Sequence, residues 1–120
     1  MVWSGYDAVA LTAVIMGGGR TLDGLLTNID VCNHDVPPFE VIGPSLGRLA
    51  GAGVIKRTEA GFRLTRLGRK VVRGTRAAAV ARVAKVKVNL ATVPLGVELT
   101  VLDHSEWEET IARYLGRHDR

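Results

Sequence analysis

Residues 45–68, SLGRLAGAGVIKRTEAGFRLTRLG, constrain the fold more than any other stretch. Leu46 and Leu49 lie on one helical face, and Gly51 and Gly53 end that helix. Val54 and Ile55 open a strand. Phe62, Arg63 and Leu64 alternate in-out-in and close a short hairpin that turns through Glu59, Ala60 and Gly61. Thr65 can cap a following helix. The order is helix, glycine stop, hairpin, helix, and few architectures share it.

Upstream, two more helices are expected. Ser4 can cap the first, with Asp7 in the capping-box position three residues later. Tyr6, Val9, Ala10, Ala13 and Val14 recur at helical spacing. Gly17, Gly18 and Gly19 stop it, since glycine costs a helix about 1 kcal/mol per residue relative to alanine. Thr21 is the cap of the second helix, whose apolar face is Leu22, Leu25, Leu26 and Ile29. Asn33, His34 and Asp35 break the pattern, and Pro37 and Pro38 enforce the break. In the third helix Phe39, Ile42, Leu46 and Leu49 form a core-facing stripe, but Pro44 falls inside it. A proline there removes a backbone hydrogen bond and clashes with the Glu40 carbonyl. The sequence therefore predicts a short turn over residues 39–42, then a main helix with Pro44 in its first turn.

Downstream, a helix starting after Thr65 and reaching about residue 80 would place Arg66, Arg69, Lys70, Arg73 and Arg76 within an arc of about 120°. Beyond it the period changes. Lys85, Lys87 and Asn89 alternate with Val86, Val88 and Leu90, and Val97, Leu99 and Val101 alternate with Glu98 and Thr100. Period-two patterning rich in valine argues for strands. A hairpin turning around residues 94–96 is favoured slightly over a helix running to about Leu90. Ser105 and Glu108 form a capping box for a last helix with a stripe of Trp107, Ile111, Tyr114 and Leu115. Glu109 and Arg113 can pair one turn apart, and Gly116 ends it.

Charge is distributed unevenly. The net charge is +4. Residues 56–87 hold eleven basic side chains and one acid, Glu59, a local net of +10, while the flanks on either side carry −3 each. A basic belt between acidic flanks suggests a surface that faces a polyanion. The longest apolar run, residues 8–16, is too short for a bilayer, which needs about 20 residues. The start MVWSGYD lacks a signal-peptide pattern. A cytoplasmic protein with no membrane association is expected. Cys32 is the single cysteine, near an apolar helix face, and reads as structural rather than redox-active.

Other candidate sites read as structure. Gly17–Gly19 followed by Arg20 and Thr21 suggests an anion loop, but it lacks the lysine and spacing of a Walker loop, and a helix stop is favoured. Gly43, Gly47 and Gly51, spaced by four, permit close helix packing. His34, His104 and His118 have no partner at a metal-ligand spacing. No Ser/His/Asp or Cys/His arrangement stands out, so no catalytic residue, metal or cofactor is expected, and the chain does not read as an enzyme.

The segment Leu49, Gly53, Val54 and Ile55, followed by Thr65, Arg66, Leu67 and Gly68, resembles the end of the recognition helix and the close of the wing in winged helix-turn-helix bacterial regulators. The layout is similar to the MarR and PadR types and covers about residues 4–80. The fold class expected is mainly α (α+β): a winged-helix domain over residues 1–80, and a C-terminal extension over residues 81–120 that ends in a helix and serves packing or dimerisation. The resemblance implies double-stranded DNA as partner, a homodimer, and a role as transcriptional regulator or nucleoid-associated factor. Carried over by position, Ser45 and Arg48 lie on the recognition helix and Lys56, Arg57 and Arg63 on the wing. The basic stripe of Arg66, Arg69, Lys70, Arg73 and Arg76 adds phosphate contacts. From Pro38 to Gly47 there is no lysine or arginine, whereas a base-reading helix offers Arg, Lys, Asn or Gln to the groove. The alternative is therefore a winged-helix module that binds a protein partner without reading DNA.

Overall fold

Ser4 starts the first helix as expected. In the computed structural model, which describes residues 2–118, its hydroxyl accepts from the Asp7 N–H at 3.4 Å while the Asp7 carboxylate accepts from the Ser4 N–H at 2.7 Å. The helix, α1 (Gly5–Ile15), is buried without interruption from Asp7 to Val14. A helix apolar on all sides belongs inside a fold, and α1 is the central element against which most of the others pack. It stops at Met16, ahead of the glycine turn, where Gly18 takes a left-handed φ of 81°.

Thr21 caps α2 (Leu22–Asn33) by accepting from the Gly24 N–H at 3.0 Å. Leu25, Leu26, Ile29 and Cys32 are buried. His34 ends the helix in the left-handed conformation, with its backbone N–H donating to the Asp30 carbonyl at 2.7 Å.

The expected break in the third helix is absent. α3 runs continuously over Phe39–Gly51 with Pro44 inside it. Two features make the proline tolerable. Gly43 has no Cβ to meet the proline ring, which removes part of the clash that normally drives the preceding residue out of the helix. Ile42, Ser45, Leu46 and Leu49 are all buried, and tertiary packing of that face outweighs one lost hydrogen bond. Gly53 then takes φ 78°, and the Val54 N–H closes the helix on the Leu49 carbonyl at 3.0 Å.

β1 (Ile55–Arg57) and β2 (Phe62–Leu64) form an antiparallel hairpin in the register Ile55 with Leu64, Lys56 with Arg63 and Arg57 with Phe62. Thr58 and Gly61 close its turn through two hydrogen bonds. The sequence placed this turn correctly.

The long basic helix expected after Thr65 is divided. Thr65 does cap α4, but α4 covers only Arg66–Val71. Gly74 takes φ 75° and turns the chain. Arg66, Arg69 and Lys70 stay on the helix, whereas Arg73 lies in the turn and Arg76 in the connection beyond it, so the five cations form no single stripe.

The expected hairpin over residues 85–101 is also corrected. Residues Ala79–Leu90 form a helix, α5. Val86 and Leu90, one turn apart, are fully buried, and Val88 is exposed. The period-two pattern misled because its alternate apolar residues also include an i, i+4 pair. The Asn89 side-chain amide donates to the Val71 carbonyl at 2.8 Å and joins α5 to the end of α4.

Residues 94–101 have no helix or strand. They form a strap across α3. The Leu99 N–H donates to the Gly47 carbonyl at 3.0 Å. A Cβ on Gly47 would lie 2.2 Å from the Leu99 oxygen, and one on Gly51 would lie 1.7 Å from the Val97 oxygen. The spaced glycines therefore admit an extended strap, not another helix, and Gly43 instead meets the Phe39 ring.

The last helix, α6 (His104–His118), begins two residues earlier than expected. The Asp103 N–H donates to the Glu106 carboxylate at 3.0 Å, which replaces the predicted Ser105–Glu108 box. Gly116 does not end it. Trp107 and Tyr114 are buried and Ile111 is half-buried, but Leu115 is exposed. Arg113, expected opposite Glu109, reaches Asp23 of α2 at 3.1 Å. One apolar core includes residues from α1 to α3, the hairpin, α5 and α6. The molecule is mainly helical with a single small antiparallel sheet. No described helix is long and apolar enough to cross a membrane.

Candidate nucleic-acid interface

The C-terminal half of the outward face of α3 is occupied by its own chain. Ile42, Ser45, Leu46 and Leu49 point to the core, and at 100° per residue Gly47 and Gly51 lie opposite them. The strap runs over that opposite face. Ser45 is fully buried. Arg48 binds Asp7, with its Nη2 and Nε at 2.7 and 3.1 Å from the same carboxylate oxygen. Its Nη2 also donates to the Ser45 hydroxyl at 3.1 Å, and its Nη1 lies 3.5 Å from Glu98 of the strap. Asp7 is wholly buried, so Arg48 is the counter-ion of an interior carboxylate. Ser45 and Arg48, the two residues carried over to a recognition helix, are committed to the interior.

The cations from Lys56 to Arg76 sort into three groups. Arg57 turns toward α6, where its Nη2 meets Glu106 at 2.7 Å and its guanidinium lies 5.2 Å from the centre of the Phe62 ring. Lys56, Arg63, Arg66 and Arg69 instead line a cleft of about 850 Å³. Lys70, Arg73 and Arg76 are exposed and lie outside it.

One wall of the cleft is the end of α1 and the glycine turn, which contributes Arg20. The other is the hairpin and the start of α4. The Leu22 N–H donates to the Ala60 carbonyl at 3.1 Å. Gly61 approaches the Arg20 carbonyl so closely that a Cβ there would sit 2.5 Å from it. These contacts fix the hairpin tip to the start of α2. Val14, Ile15, Met16 and Leu64 supply apolar lining.

All five cations of the cleft are exposed. No Asp or Glu lines it. None of the five makes an ion pair among the described residues. Lys56 and Arg63 are direct cross-strand partners, an arrangement that costs stability in a sheet. Local rules are broken in this way where a site needs the charge. The sequence places Arg20 in a candidate anion loop that is set aside, because the glycine turn reads as a helix stop. Its one signal was a basic residue directly after three glycines.

Cys32 is buried behind the cleft lining, with its sulfur 3.3 Å from that of Met16. Burial pushes its thiol above the ordinary range, and the charge of Arg82 offsets this only in part. It is therefore a thiol at neutral pH and a poor nucleophile.

Comparison with known protein families, with curated proteins and with solved structures finds no match to this chain.

Proposed function

We propose that this protein is a winged-helix variant that binds double-stranded DNA through its phosphates, from the hairpin and α4 side, without base reading by α3. The observation that carries this reading is the cationic cleft, where five exposed side chains gather with no carboxylate among the lining residues. Lys70, Arg73 and Arg76 extend the charge along the chain from Arg69. The strap over Gly47 and Gly51 and the commitment of Ser45 and Arg48 to the interior support the absence of base readout. Such binding is driven by counterion release and depends little on sequence.

If about six phosphates are neutralised, affinity for a duplex falls about 10³-fold between 50 and 200 mM salt. Replacing Arg63, Arg66 and Arg69 together by glutamine is expected to lower the log–log salt slope by about 2.7. Fluorescence anisotropy with two unrelated duplexes checks both numbers. Absence of binding at 50 mM salt overturns the reading. Recovery of a nuclease-insensitive protein partner without DNA would support the interaction-module alternative instead.

Self-association is proposed alongside it. Val80 and Val88, two turns apart on α5, are 58% and 71% exposed, and apolar surface of this kind marks contact sites when it is contiguous. Sedimentation at tens of micromolar is expected to show a dimer that Val80→Glu with Val88→Glu converts to monomer. A wild-type chain that sediments only as monomer contradicts it.

A further inference from the structure

The cleft is walled on two sides, and both walls carry charge. Arg20 comes from the glycine turn, and Lys56, Arg63, Arg66 and Arg69 come from the hairpin and α4. The walls are tied together, because the Leu22 N–H donates to the Ala60 carbonyl and Gly61 packs on the Arg20 carbonyl. A cleft lined by one sign of charge focuses its field and concentrates counter-ions inside it. Its volume, about 850 Å³, falls within the ordinary range for a small-ligand pocket, about 300–1,000 Å³. Backbone donors add to the cations. Gly17, Gly18 and Arg20 are exposed, and none of their N–H groups makes a hydrogen bond among the described residues. Gly18 is left-handed, and successive amides around such a residue form a concavity that suits an anion. These glycines line the cleft, so the turn that stops α1 also has free donors beside Arg20.

The charge to be neutralised selects the ligand. A single phosphate group carries about 1.5–2 negative charges at neutral pH, fewer than half of what the five cations of the cleft can balance. A linear chain of phosphates carries more charge in a body that is still compact. We infer that the cleft is a site for such a chain, free or carried by a nucleotide, and that filling it displaces DNA. The displacement rests on the proposed binding of DNA through its phosphates, since the same side chains serve both ligands. Lys56 and Arg63 are cross-strand partners, and a phosphate bound between them relieves their repulsion. The cleft lining includes no aromatic side chain, so the base of a nucleotide has no ring to stack on and the phosphates supply the recognition.

Isothermal titration of the full chain with sodium tripolyphosphate is expected to show one site per chain. Arg20→Gln with Lys56→Gln removes one exposed cation from each wall and should weaken that binding about tenfold, as two charge-assisted contacts are lost. Arg73→Gln with Arg76→Gln removes the same charge outside the cleft. At about 0.1 M salt, where exposed charges are screened beyond about 10 Å, it should change the affinity less than about twofold. ATP without magnesium is the second probe: affinity no greater than that of tripolyphosphate assigns the free chain, and tighter binding assigns a nucleotide. In fluorescence anisotropy tripolyphosphate is expected to release a bound duplex, and sodium chloride of equal ionic strength to release less. Equal losses from the two variant pairs overturn the site, because the charge then acts from the whole surface. A duplex that stays bound when tripolyphosphate saturates the protein overturns the displacement. Absence of tripolyphosphate binding overturns the inference, while duplex binding at about 50 mM salt keeps the proposed function standing. Tripolyphosphate binding that obeys the variant pairs, with no duplex binding, overturns the proposed function and leaves the site standing.

Discussion

Arg48→Met is expected to destabilise the fold by about 3 kcal/mol and to leave DNA affinity of the folded protein unchanged. The cause is electrostatic. Asp7 is wholly buried, and Arg48 is its counter-ion at 2.7 Å. Removing one partner of a buried pair leaves an uncompensated charge, which costs about 3–5 kcal/mol. The lower end applies because the Arg48 side chain retains 15% exposure. The Ser45 hydroxyl loses a donor at the same time. Adding Asp7→Asn should restore part of the loss, since asparagine can still accept from the Ser4 N–H but brings no charge. Urea unfolding of the single and double variants measures the coupling. An Arg48→Met variant as stable as wild type but weaker toward DNA would return Arg48 to the recognition role that its position in the sequence implies.

Trp107→Ala carries the second large effect, a loss of about 3–5 kcal/mol. Trp107 is the largest fully buried side chain, and its indole N–H donates to the Pro37 carbonyl at 3.1 Å. Truncation opens a cavity and orphans that carbonyl. Pro37 lies just before α3, so the same contact holds α6 against the entry of the helix that the strap covers. Trp107→Phe keeps most of the volume but loses the hydrogen bond and part of the ring, and it should cost less than the alanine variant, about 1–3 kcal/mol. Thermal unfolding of both variants separates packing from hydrogen bonding. Equal losses would mean that the indole N–H, and not the packing of the ring, holds α6 in place.

Most element starts were legible in the sequence. Ser4 with Asp7, Thr21, Thr65 and the turn at residues 58–61 all act through hydrogen bonds that span three residues or fewer. Such contacts depend on local residue type and little else. Pro44 was misread because its cost is local while its compensation, burial of the α3 face, comes from distant segments. Residues 85–90 were misread because alternating and helical apolar patterns overlap over so short a span. The Asn89 bond that favours the helix reaches back 18 residues to Val71, and no window of sequence contains it.

The candidate site divides in the same way. The sequence located the basic belt and its emphasis on residues 56–76, because charge is a property of composition. It did not distinguish Arg48 and Arg57, held by Asp7 and Glu106, from Lys56, Arg63, Arg66 and Arg69, which remain exposed, and it set the anion loop at Arg20 aside without joining it to the belt.

By itself, then, the sequence determined the capping residues of α1, α2 and α4, the hairpin turn and the overall placement of charge. The tertiary structure alone decided that a strap covers α3, that Arg20 joins the cleft, and which cations are committed to internal carboxylates. Capping and turn formation are settled among neighbours in the chain. The fate of a charged side chain depends on what the folded chain brings beside it, and for Arg48 that partner is Asp7, 41 residues away.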